Sequence, residues 1–140
     1  MARIEVKLPD KFIFSANISV RISDINRAGH VSWASMFAVM DEASVQFWDN
    51  LAADRDGERI PRIVVDAGIN YKKEAFHGQT LKVEIGAADF SSKGFDIIYK
   101  VSELASGDEV ARAKAGVLCY DYQNKKVTAI PEWLKKKLSA

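Results

Sequence analysis

The stretch SWASMFAVMDEASVQFWDNL, residues 32 to 51, decides the fold. Met36, Phe37, Met40, Ala43, Phe47, Trp48 and Leu51 recur at steps of three and four. At 3.6 residues per turn they form one apolar stripe, which predicts a helix of about five turns. Ser32 is the expected N-cap, because a serine oxygen accepts a hydrogen bond from an orphan N–H of the first turn. DRDGER, residues 54 to 59, ends the helix in a charged loop. A stripe this long needs a large apolar partner, and only the flanking sequence can supply one.

Both flanks have a period of two. In Phe12 to Ile22, Ile18, Val20 and Ile22 share one side, which predicts a strand. After the helix, Ile63 to Val65 is a β-branched run that continues to Tyr71. Leu81, Val83 and Ile85 alternate with Lys82 and Glu84. Phe95, Ile97, Tyr99 and Val101 alternate again, as do Ala111, Ala113, Ala115 and Val117. HGQ, SSKG and ASGDE read as tight connections. PEWLKKKL is a short final helix opened by Pro131. The order is strand, long helix, four strands and a short helix. It predicts an α+β fold in one domain, residues 1 to 140: an antiparallel sheet of about five strands wrapped around one long central helix. Gly68, Gly86 and Gly116 inside strands would permit curvature or close approach. The outer sheet face then needs a cover or polar residues, and Arg112 and Lys114 supply some polarity.

Composition narrows the function classes. Hydrophobic residues are 48% of the chain, enough for a core, and the formal net charge is +1. A near-neutral chain lacks the concentrated basic surface that nucleic acid requires. Lys135 to Lys137 read as a solvated helix face. The charged start has no signal-peptide pattern, and no apolar run approaches the roughly 18 residues of a membrane span. One cysteine, Cys119, makes no internal disulfide, so a cytoplasmic, reducing compartment is expected. No His/Cys cluster has the spacing of a metal site, so no metal is expected.

The chemistry-bearing residues gather just before the helix, in SDINRAGHV, residues 23 to 31. Asp24 and Asn26 either close an Asx-type turn or touch a ligand. His30 is a hydrogen-bonded loop residue or a base near neutral pH. Asp41 and Glu42 read most simply as a solvated or dimer-facing helix edge. Asp66 is a charge in an apolar strand, so it marks a bend or an ion pair. His77 reads as an exposed turn residue, and Cys119 as a packing residue without a nearby base.

The run VRISDINRAGHVSWASMFAVMDEA, Val20 to Ala43, resembles the loop and helix of hot-dog acyl-CoA thioesterases of the 4-hydroxybenzoyl-CoA thioesterase type. There a strand ends in Asp-x-Asp, GHV or GVV follows, and the long helix begins. INYKKEAFHGQTLKVEIG, Ile69 to Gly86, resembles the family's next landmark, and the likeness covers most of the chain. It implies the hot-dog fold and hydrolysis of an acyl thioester to free acid and thiol. A backbone N–H at the helix start, at Trp33, would hold the thioester carbonyl, and Gly29 would let the chain approach it. The family's catalytic aspartate falls at Asn26, which cannot ionise but can orient a water or the carbonyl. Asp24 is then the first candidate base and His30 the second, with Asp41 and Glu42 after them. Lys72 and Lys73, with Arg59 and Lys93, are the candidates for coenzyme A phosphates. No cofactor is implied beyond the coenzyme A of the substrate. Either acyl-CoA or an acyl-carrier thioester fits. The resemblance also implies a homodimer or homotetramer with sites between subunits. The alternatives are a non-catalytic binder of acyl-CoA or acyl-carrier and an (R)-specific enoyl-CoA hydratase. The hydratase motif resembles Asp-x-Asn-x-x-His, and here it has one residue too many.

Overall fold

A computed structural model describes residues 1 to 140. The quoted stretch forms helix α1, Trp33–Ala53, and the Ser32 hydroxyl accepts the Ser35 N–H at 3.0 Å as its cap. Met36, Val39, Met40, Ala43, Phe47, Trp48, Leu51 and Ala52 are its buried residues. One expected core residue differs: Phe37 is 37% exposed, and Val39 is buried in its place. The axis of the stripe runs through Met36, Met40, Ala43 and Phe47. Either flank of that axis satisfies the period; Trp48 and Leu51 are buried on the Phe37 flank as well, but at Phe37 itself the helix borders a cavity.

The strands are β1 (Phe14–Ser19), β2 (Arg62–Tyr71), β3 (Thr80–Ala88), β4 (Gly94–Glu103), β5 (Glu109–Asp121) and the short β6 (Lys126–Val127). β1 is shorter than its alternation suggested. Ile22 is 70% exposed and opens a 3-10 turn, Ile22–Asp24. The sheet order is β1-β3-β4-β5-β2, every neighbour antiparallel, with β6 paired to the end of β5. The inward faces bury Leu81, Val83 and Ile85 from β3, Phe95, Ile97 and Val101 from β4, and Ala111, Ala113 and Val117 from β5. Phe47 of α1 meets Phe14 and Trp48 at ring-centroid distances of 5.6 and 5.1 Å. Helix α2, Glu132–Ser139, adds Leu134 and Leu138 to this core. Lys137–Asp54, at 2.9 Å, and Arg55 over the Trp133 ring tie α2 to the end of α1. No helix is long and apolar enough to cross a membrane.

The cover of the outer face is the N-terminal segment. Gly68, Lys114, Ile98 and Gly86 are successive cross-strand partners, so they form one row across the sheet. Residues 4 to 11 lie along that row. The Asn70 side chain accepts the Val6 N–H at 2.8 Å and donates to the Ile4 carbonyl. A Cβ on Gly68 would sit 3.2 Å from Ile4, and one on Gly86 would sit 2.8 Å from Pro9 and 2.9 Å from the Lys11 carbonyl oxygen. Val6 and Ile98 are both buried outside the main core. Gly86→Ala should therefore push the segment off the sheet, at a cost of about 1–3 kcal/mol. Urea unfolding measures this, and an unchanged midpoint would contradict the close approach.

Strand β2 bulges between Val64 and Asp66. The Asp66 carboxylate fills the gap in the ladder by accepting the Gly116 N–H at 3.1 Å. It also pairs with Lys114 at 2.8 Å, and Lys114 reaches Asp96 at 3.2 Å. Asp66 is thus both bend and ion-pair partner, and a Cβ on Gly116 would collide with it. The hydrogen bond from Lys114, ahead of its charge, holds the Asp66 carboxyl below its usual range. A depressed folded-state pKa adds stability above the unfolded carboxylate range and loses it as pH falls through the folded value. The stability difference between the protein and Asp66→Asn should therefore shrink on acidification. Denaturant midpoints from pH 7 down to pH 3 check this; a difference that stays constant would rule it out.

Candidate active site

The polar stretch folds into a closed loop. Ile25 and Val31 form a bridge, the Asn26 N–H donates to the His30 carbonyl at 2.9 Å, and the Gly29 N–H donates to the Asn26 carbonyl at 3.1 Å. The Asn26 side-chain oxygen accepts the His30 N–H at 3.3 Å, so the Asx-type role is present. Gly29 turns the chain at φ +90°, in the left-handed region that glycine favours.

Asp24 is buried. Its carboxylate accepts the Arg21 N–H at 2.8 Å, and the Arg21 guanidinium lies 3.4 Å away. Its carbonyl accepts the Ser32 N–H at 3.0 Å, which joins the end of the first strand to the helix cap. Asp24 borders a cavity of about 520 Å³ between β1 and the outer side of α1, with Asp41 and Glu42 opposite. That cavity does not include His30.

His30, Trp33, Lys72 and Lys73 meet elsewhere. With Met36, Tyr71 and Glu74 they line a cavity of about 340 Å³ at the tip of α1. His30 Nδ1 lies 3.0 Å from the Val31 carbonyl oxygen. A carbonyl only accepts, so the ring carries a hydrogen on Nδ1, and the neutral ring has its lone pair on Nε2. Nε2 lies 3.7 Å from the Glu74 carboxylate. The Tyr71 hydroxyl donates to the Trp33 carbonyl at 2.8 Å and pins the helix tip to the end of β2. The N–H groups of Trp33 and Ala34 donate to nothing in the protein, as expected for a first helical turn. They are available to an oxygen that develops negative charge, and the helix dipole favours that charge.

The lysines differ. Lys73 is ion-paired with Asp108, which raises its pKa through a hydrogen bond first and charge second. Lys72 forms no ion pair and is free to meet a phosphate. Arg59 and Lys93 do not border this cavity. His77 is exposed, as its turn predicted. Asp41 also borders a third, largely apolar cavity of about 350 Å³ with Phe37, Met40, Ser44, Val64 and Tyr99. Cys119 is buried, and burial pushes its thiol up, away from nucleophilic use. No group of three or more His, Cys, Asp and Glu side chains is arranged to hold a metal ion. Glu74 and the Tyr71 hydroxyl are site groups that the sequence reading missed. Their only local signal is a carboxylate following two lysines in YKKEA.

The sheet wrapped on a single long helix is the hot-dog fold, and the chain belongs to the thioesterase-like superfamily, whose family model matches residues 20–138. Among solved structures, the fold matches a 1,4-dihydroxy-2-naphthoyl-CoA thioesterase from Synechocystis: 21% identity, TM-score 0.76, 90% of this chain and 95% of that one covered. A thioesterase from Thermus thermophilus, complexed with coenzyme A and Zn, is 15% identical with TM-score 0.77, over 93% and 95% of the two chains. The PA2801 protein from Pseudomonas aeruginosa is 20% identical with TM-score 0.81, over 90% and 98%. No curated protein sequence matches the chain.

Proposed function

We propose that this protein hydrolyses an acyl-CoA thioester in the cavity at the tip of α1. The observation that carries the reading is that His30, Trp33 with its unpaired N–H at the helix start, and the unpaired Lys72 line one cavity. Superfamily membership and a neighbour's complex with coenzyme A support it. Lys72 would meet a phosphate of coenzyme A. The thioester carbonyl oxygen would rest on the Trp33 and Ala34 N–H groups. His30 Nε2 takes a proton from water as its oxygen attacks the carbonyl carbon, and the C=O pair moves onto the oxygen. The intermediate then collapses, the C–S bond breaks, and the coenzyme A thiolate takes the proton back from His30. Asn26, which does not line this cavity, braces the loop beside His30 by accepting the His30 N–H. Asp24, turned toward Arg21, acts as a support for the loop rather than as the base. The test is a thiol-release screen across short, long and aromatic acyl-CoAs and an acyl-carrier thioester. Release from at least one coenzyme A thioester is expected; none from any, with the fold intact, overturns the reading. The amide at position 26 favours one rival, a non-catalytic acyl-CoA binder, which would bind tightly without turnover.

The assembly is part of the proposal. β2 is an edge strand with no neighbour on its outer side, and Val64 and Val65 are 58% and 55% exposed. An open apolar edge is the surface a second copy would pair with. Light scattering at micromolar concentration is expected to give a dimer or tetramer; a stable monomer would refute it. An unpaired, buried Cys119 suits a reducing, cytoplasmic setting.

A further inference from the structure

We infer that Glu74 is the charge partner of His30: its carboxylate stabilises the imidazolium that forms while water attacks the thioester. This deepens the hydrolytic reading and rests on it. The geometry has three parts. The Nδ1–H to Val31 contact fixes the ring, so the proton can arrive only at Nε2. Nε2 is the nitrogen that lies 3.7 Å from Glu74. Finally, the segment that carries Glu74 is held on both sides. The Lys72 and Lys73 N–H groups donate to the Val110 carbonyl at 2.8 and 3.1 Å, and the Ala75 carbonyl accepts the Val31 N–H at 2.8 Å. The last bond joins it to the residue next to His30.

Charge balance points the same way. Two cations, Lys72 and Lys73, line the same cavity and would oppose an imidazolium. Asp108 neutralises Lys73, and Glu74 is the carboxylate left to offset the developing charge on His30. The Glu74 side chain is 64% exposed, so with a neutral imidazole the pair adds little to folding stability. Its effect belongs to the transition state, where the ring is charged. Glu74 thus acts as a positioning and charge-balancing residue through His30, without touching the substrate.

The test combines kinetics with ring-nitrogen NMR. Glu74→Gln should lower kcat about tenfold with KM and the melting temperature nearly unchanged, and Glu74→Asp should recover most of the loss. In a His30→Ala background, Glu74→Gln should have almost no further effect, because the charge it balances never forms. Nitrogen NMR of the resting protein should show the Nδ1–H tautomer at His30. A kcat within twofold for Glu74→Gln, an undiminished effect in the His30→Ala background, or an Nε2–H tautomer overturns the inference while leaving hydrolysis intact. A wild-type protein that releases no thiol instead overturns the hydrolytic reading, and this inference falls with it.

Discussion

His30→Ala is expected to lower kcat for thiol release by about 10²-fold or more, the usual contribution of a positioned general base. The ring is the one imidazole at the α1 tip, and its Nδ1 contact to the Val31 carbonyl leaves Nε2 as the accepting nitrogen of the neutral ring. Asp24, two residues before Asn26, is closed off by the Arg21 N–H and guanidinium. KM should move little, because the imidazole accepts a proton and does not grip coenzyme A. Steady-state hydrolysis of the best substrate from the screen measures both constants. A His30→Ala rate within about threefold of the wild type would transfer the base to another group, with Glu74 next in line.

The second large effect is on stability. Phe47→Ala should cost about 3–5 kcal/mol, out of a total of roughly 5–15 kcal/mol for a domain. Phe47 is 2% exposed, and it joins α1 to β1 through Phe14 and to its own helix neighbour Trp48. Truncation removes both ring contacts and leaves a void where β1 meets the helix. Urea or guanidinium unfolding gives the value, and a loss below about 1 kcal/mol would mean that the aromatic cluster repacks.

The fold was largely legible because its signals are local. The step pattern of Met36, Met40, Ala43 and Phe47 belongs to one element, as do the alternations of β3, β4 and β5. Phe37 was misread because periodicity gives the axis of a stripe and not its edges. Ile22 continued an alternation that the 3-10 turn interrupts. The cover over Gly68, Ile98 and Gly86 was illegible, since residues 4 to 11 make no regular element and bury chiefly Val6. The candidate site was half legible. The loop announced itself by composition, and the resemblance supplied Trp33, Lys72 and Lys73. Which base shares a cavity with them depends on contacts between residues some forty positions apart, His30 with Glu74 and Trp33 with Tyr71. No local pattern carries those pairings, and Glu74 stayed hidden among surface charges.

The sealed sulfhydryl at Cys119 has a practical corollary. A disulfide dye added to follow coenzyme A release finds its one protein target 2% exposed and protonated. Colour in such an assay therefore reports product alone while the chain is native. The same reagent, with substrate left out, becomes a reporter of opening around the end of β5, where the thiol is buried.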